Sequence, residues 1–261
     1  MNFIKVTQDN IATEHICCAI SNENDVQVSS KKAWLRERFQ DGLTFLKADA
    51  RGKCFIEYLP AERGFEPISA PGYMLIDCFW VAGSLKGNGY GKQLLSRCIA
   101  DAKSQGKIGL CAISSAKKRP YLSDGAFLKK AGFLLADEAA PYFTLLYLPF
   151  EKNATEPKFL PQAKRPQMRG SGWEIFYTNA CPFNAKYAPL LKQFANEQGI
   201  PLTLRLISTP EEAQKMPFAH TAYAAFYGGE YITHEVLTDK KLLALHERLA
   251  PPRRRKIARK L

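Results

Sequence analysis

Long apolar runs are absent from this 261-residue sequence. No stretch approaches the ~20 residues needed to cross a bilayer, and the opening MNFIKVTQDN lacks the apolar core of a secretory leader. Both absences point to a cytoplasmic protein with no membrane partner. Internal repeats are missing. The pattern G-x-x-x-x-G-K-[ST] does not occur, which removes a Walker A loop. No helix-turn-helix, zinc-finger or RRM signature accompanies the net charge of +12, so nucleic acid is not the expected partner. Part of that charge lies in the run Pro251-Pro252-Arg253-Arg254-Arg255-Lys256, read as a solvated tail. The seven cysteines are odd in number and irregularly spaced, most of them in apolar stretches such as YMLIDCFWV and KIGLCAIS. They read as reduced, buried thiols and not as a disulfide framework. His15, Cys17 and Cys18 cluster, but one helical turn sets them poorly around one ion and no second Cys/His pair follows nearby, so no metal is expected.

What is present is a globular composition, 46% hydrophobic and 24% charged, long enough for one or two domains. Residues 151–172 carry three prolines, five basic residues and two glycines without hydrophobic periodicity, which reads as a linker between residues 1–150 and 173–261. In the first part, helices are expected over 10–20 and 31–43, the latter closed by Gly42. Strands follow in TFLKADA, KCFIEYLP and YMLIDCFWV. A glycine-rich loop then leads to a helix, the strand KIGLCAIS, a short helix over 124–131 ending at Gly132, and a strand in PYFTLLYLPF. The second part reads as the strand WEIFYTN, a helix over 183–198, the strand PLTLRLIS, a hairpin turning at Gly228-Gly229, and the helix LTDKKLLALHERL. This is the outline of a thioredoxin-like layer. The fold class is therefore α/β, with a smaller second α/β domain.

The most informative stretch is Lys86-Gly87-Asn88-Gly89-Tyr90-Gly91-Lys92, fed by a strand and feeding a helix whose stripe is Leu94, Leu95, Cys98, Ile99 and Ala102. Glycines let backbone approach a ligand without Cβ clashes. The free amides and positive dipole end of a helix start suit a pyrophosphate, and Lys86 and Lys92 add charge. No Rossmann acid follows the next strand.

This loop resembles the [RQ]-x-x-G-x-[GA] motif of the GNAT acyltransferases, with Lys86, Gly89 and Gly91 in the motif positions; lysine at 86 departs from the usual Arg or Gln. Phe79-x-Val81 before it, and GAFLKKAGF at 125–133, resemble the family's flanking segments. Glu14–Cys18, Phe55–Tyr58, Ile76–Val81 and Cys181-Pro182-Phe183 resemble the smaller YoaP-type group, which carries a C-terminal domain. The resemblance implies a mixed sheet with splayed central strands and an acetyl-CoA-dependent N-acetyltransferase acting on a small-molecule or peptide amine. It implies that Phe79, Trp80 and Val81 hold the pantetheine arm through their backbone and that residues 86–92 hold the pyrophosphate. Asp77 or Glu57 would be the base, Asp77 sharing a face with Phe79 and Val81 if the strand alternates. The family's tyrosine acid is replaced by Leu128, so either Tyr121 or Tyr142 stands in or CoA leaves without an acid.

Cys181 caps a helix whose first residue is Pro182, a position that lowers a thiol pKa. Asn184 stands where a C-x-x-C motif has its second cysteine, which argues against a dithiol oxidoreductase. Three roles stay open for the second part: a monothiol redox or thiol-binding module, a recognition domain for the acetyl acceptor, and a structural appendage. An acyl-CoA-binding or sensing protein without fast turnover is the alternative for the whole chain.

Overall fold

The computed structural model describes residues 1–16, 20 and 22–250. The chain runs β1 (Phe3–Val6), α1 (Val26–Phe39), β2 (Thr44–Ala48), β3 (Cys54–Pro60), β4 (Ile68–Ser69), β5 (Tyr73–Val81), α2 (Tyr90–Ser104), β6 (Gly109–Ser115), α3 (Gly125–Lys130), β7 (Leu134–Ala139), β8 (Phe143–Pro149) and β9 (Lys158–Phe159). It continues with β10 (Trp173–Tyr177), α4 (Pro182–Glu197), β11 (Leu202–Leu206), α5 (Pro210–Ala213), β12 (Tyr223–Tyr227), β13 (Glu230–Thr233) and α6 (Asp239–Leu249). A seven-stranded sheet has the order β1-β2-β3-β5-β6-β8-β7, and a four-stranded sheet has the order β11-β10-β12-β13.

Two local expectations give way, and one strand was not expected. Residues 10–16 turn and form no helix, because Asn10 spends its side chain on Thr7 N (2.8 Å) and Lys5 O (3.0 Å), a local alternative to the helical ladder. Cys17, Cys18 and Ala19 of that expected helix, like the basic run after residue 250, lie outside the described residues. Helix α1 begins earlier than expected, capped by Asp25, whose carboxylate accepts from Gln27 N at 2.9 Å. Its stripe is hard to read because Lys31, Lys32 and Arg38 are buried on it against Glu57, Glu23 and Asp41. Strand β7 carries no period-2 signal because it is an edge strand, with Leu134 and Leu135 exposed.

Strand β5 controls the site. It pairs in parallel with β6 only from Tyr73↔Gly109 to Ile76↔Ala112. Beyond Ile76 it stays on β3 while β6 stays on β8, so a wedge opens between β5 and β6. At the point of divergence Glu57 of β3 pairs with Cys78 and Tyr58 with Ile76, which leaves Asp77 as the unpaired residue of a bulge. The bulge resets the alternation. Met74 and Ile76 pack with Phe79 and Val81 beside Leu94, Leu95 and Cys98 of α2, whereas Tyr73, Leu75 and Cys78 pack toward α1. Asp77 therefore does not share a sheet face with Phe79 and Val81.

Residues 151–172 run along the molecule: Phe159 is buried, Lys158–Phe159 pairs with β4, and Met168 N donates to Gly229 O at 2.9 Å. One apolar cluster is continuous between the two sheets, joining Trp34, Phe65 and Phe143 to Phe176, Phe218 and Phe226. A separate cluster beneath α4 and α6 includes Trp173, Leu191, Tyr223 and Leu242.

Candidate active site

A cavity of about 840 Å³ passes through the wedge between β5 and β6. Its α2 end is backbone. Gly83, Gly87 and Gly89 have φ of +63°, +86° and +77°, and a Cβ on any of them would meet nothing within 4 Å. Gly89 is the N-cap of α2, with no side-chain cap and no acid in the first turn. Its left-handed conformation costs an L-residue roughly 1–2 kcal/mol, and the amides of the first turn lack intrahelical partners. Lys86, Gly87, Gly89, Tyr90, Gly91 and Lys92 all line this end. Asn88 does not: its amide donates to Ser84 O at 2.9 Å and stitches the loop. Phe79, Trp80 and Val81 line the wedge, with Phe79 edge-on to Phe127 at 5.3 Å between centroids.

The other end is made of charged side chains. Lys31 Nζ donates to both oxygens of Glu57, at 2.8 and 2.6 Å, and to Ala180 O at 2.7 Å. Both side chains are buried, so Glu57 presents a paired carboxylate and not an open one. Burial works against the charge on Lys31, but the attraction and hydrogen bond of Glu57 outweigh it, and its pKa lies above the usual value. Asp77 is pushed up to about 7, first by burial and then by the charges of Glu57 and Glu66; Lys31 and His220 oppose the rise. At neutral pH this carboxyl stands near half-ionisation, suited to taking and giving a proton.

Tyr121 lines the cavity and has φ of +63°, the sole non-glycine positive φ among the described residues. Its turn is held by His234, whose Nε2–H donates to Pro120 O at 2.9 Å while its Nδ1 accepts from Tyr142 OH at 2.7 Å. Burial lowers the His234 pKa to about 4, which keeps that ring neutral. Burial, with the nearby Cys181, raises the Tyr121 pKa, so the phenol keeps its proton. Tyr142 is committed to His234 and does not line the cavity. Leu128 is fully buried in the core beneath α2.

Cys181 lines the same cavity and is the N-cap of α4, as expected. Its pKa is not lowered. Burial raises it, outweighing the amides of Phe183 and Asn184 and the charge of Lys31. Lys31, His220 and His234 were not singled out as site residues from the sequence. Each reaches the site through tertiary packing, and no local motif marks it. No group of three or more His, Cys, Asp or Glu able to hold a metal occurs among the described residues, nor does any helix long and apolar enough to cross a membrane.

The acetyltransferase (GNAT) family profile matches residues 10–133, and the YoaP-like profile matches residues 201–243. The chain is 42% identical over 251 residues to the Bacillus subtilis (strain 168) protein named "Uncharacterized N-acetyltransferase YoaP", covering 96% of this chain and all of that one. Among solved structures, it is similar to a GNAT family acetyltransferase from Brucella melitensis in complex with acetyl-CoA, at 15% identity and TM-score 0.37 over 59% of this chain and 91% of the other. It is also similar to an N-acetyltransferase from Staphylococcus aureus Mu50, at 16% identity and TM-score 0.37 over 58% and 100%. The full-length identity, reaching across both sheets, shows that the chain belongs to the YoaP-type N-acetyltransferases of the GNAT family.

Proposed function

We propose that the protein transfers an acetyl group from acetyl-CoA to a primary amine that enters from the α1 side of the wedge. One observation carries this reading: a single cavity joins an open glycine cradle at a helix start to a carboxyl poised near neutrality. The amides around Gly87–Gly91, with Lys86 and Lys92, hold the pyrophosphate. The unpaired edge of β5 at Phe79–Val81 holds the pantetheine arm and polarises the thioester carbonyl. Asp77 takes a proton from the acceptor ammonium. The amine nitrogen then bonds to the carbonyl carbon, the C–S bond breaks, and the sulfur takes the Tyr121 proton. The second proton on nitrogen returns to Tyr121. Glu57 acts through Lys31, fixing the charge around Asp77, and Asn88 keeps the loop open.

In this reading residues 1–150 form the acetyltransferase domain and residues 173–261 a thioredoxin-like domain. The strand order β11-β10-β12-β13 supports the second assignment, with β10 parallel to β11 and antiparallel to β12, as does a cysteine capping the first helix. That domain roofs the acceptor end with residues 180–184 and with His220, Ala222 and Tyr223, which favours a small amine over a folded protein. Acetyl-CoA titration should raise Tm, because a ligand of the folded state stabilises it. Release of free CoA with a panel of amino acids, polyamines and short peptides then tests transfer. A flat Tm overturns the acetyl-CoA reading. A raised Tm with no release leaves the binding or sensing reading. The competing thiol role for Cys181 rests on its place in the same cavity; that role predicts lost activity with an intact fold in Cys181→Ser, whereas the transfer scheme above predicts no loss.

A further inference from the structure

Glu66 and His220 have no part in the scheme above, although both approach Asp77. Glu66 lies in the excursion between β3 and β4, and His220 lies in the loop before β12. Glu66 Oε1 meets His220 Nδ1 at 2.7 Å, and Glu66 Oε2 accepts from Thr221 N at 3.0 Å. The Thr221 hydroxyl donates to Phe65 O. A carboxylate only accepts, so Nδ1 carries the proton. The ring is further fixed by Phe143 and His234, at centroid separations of 6.2 and 6.1 Å. Its other nitrogen, Nε2, is buried and has no hydrogen-bond partner among the described residues. Leaving such an atom unmatched costs about 1–3 kcal/mol, which asks for a reason. The same ring lines a hollow of about 10 Å³, together with Asp77, Glu66, Tyr121 and Ser123 among others. That is about the room one water needs, in polar surroundings.

Resting on the proposed acetyl transfer, we propose that Glu66 and His220 form the proton outlet of Asp77. The proton that Asp77 removes from the acceptor passes through one water in the hollow to Nε2 of His220, and the ring, which also lines the main cavity, gives it up to solvent there once the product has left. Asp77 is thereby returned as carboxylate for the next turnover. The net change is one ammonium and one thioester converted to one amide, one CoA thiol and one released proton. His220 acts through Asp77 and is a positioning residue supplied by the C-terminal sheet, while Glu66 comes from the N-terminal one. The charged and titratable groups facing the ring are Glu66, Asp77 and His234, with Arg119 and Glu235 behind His234. Burial disfavours the imidazolium, but Glu66 and then Asp77 outweigh it, so His220 titrates above the ordinary histidine value. A bare Nε2 exists in the neutral ring, so the outlet runs on the alkaline side of that titration.

The experiment is an imidazole nitrogen-15 NMR titration of the full chain without ligand, with His220 assigned from His220→Gln. We expect Nε2 of His220 to gain its proton at a pH above the usual range. In Asp77→Asn the midpoint should fall, since a negative neighbour is lost. An unmoved His220 midpoint, or an Nε2 that never binds a proton, overturns the outlet. In a second arm, on any amine that supports CoA release, His220→Gln should lower kcat about tenfold or more. KM for acetyl-CoA should stay unchanged, and the pH profile should keep the climb set by Asp77 but lose the further rise on the alkaline side of the His220 titration. An unchanged kcat and profile overturn the proposal. If no amine is turned over, acetyl transfer itself falls, while the NMR arm still decides whether Asp77 and His220 communicate.

Discussion

The two ends of the cavity are built by opposite means. The α2 end is backbone from one unbroken stretch, Lys86 to Lys92, and its property is openness: no atom lies where Cβ atoms of Gly83, Gly87 and Gly89 would project. The α1 end is side chains from five segments, Lys31, Glu57, Asp77, Tyr121 and Cys181, and its property is mutual charge. On the proposed scheme the second end sets which acceptor reacts and at what pH.

That comparison can be broken at several points. The largest effect is expected from Asp77→Asn, which should lower kcat about 10²–10⁴-fold while leaving the Tm rise with acetyl-CoA in place. Loss of the Tm rise would show that the ends are not separate. The wild-type pH–rate profile should climb through about 7, since Asp77 accepts a proton as carboxylate, and that limb should vanish in Asp77→Asn. Lys31→Met leaves Glu57 buried without its counter-charge and should cost about 3–5 kcal/mol in urea unfolding. The double change Lys31→Met, Glu57→Leu should recover most of that loss. Next, Gly89→Val should weaken acetyl-CoA by about five- to thirtyfold, matching the roughly 1–2 kcal/mol of a strained left-handed residue, with the pH profile of the residual activity unchanged by isothermal titration and rate assays. The smallest effect is expected from Cys181→Ser: on the proposed scheme its thiol is protonated and outside the chemistry, so kcat should stay at the wild-type value.

The same contrast explains what the sequence revealed. Glycines at 87, 89 and 91 before an apolar stripe mark a local device, readable because every part is adjacent in the chain. The hairpin at Gly228-Gly229 was equally legible, and both residues take positive φ. Asp77 was visible as a residue but its direction was not, because the bulge depends on the register with β3. Lys31 carries no local mark of its role, which arises only where Glu57 and Ala180 close around it. His220 carries no local signal, because its partner Glu66 stands 154 positions away. Cys181 misled on its pKa because a helix start stabilises a thiolate and burial opposes it, and burial is not a local property.

The unbroken apolar cluster from Trp34 to Phe226 has a consequence for how such a chain can be dissected. Cutting after residue 150 would bare Phe65 and Phe143 along one flank, inviting self-association of the fragment. It would also remove the carbonyl of Ala180 that Lys31 grips. An isolated N-terminal fragment is therefore a poor stand-in for the enzyme, and insolubility of such a truncation would report exposed aromatic surface and not a failure of the catalytic half to fold.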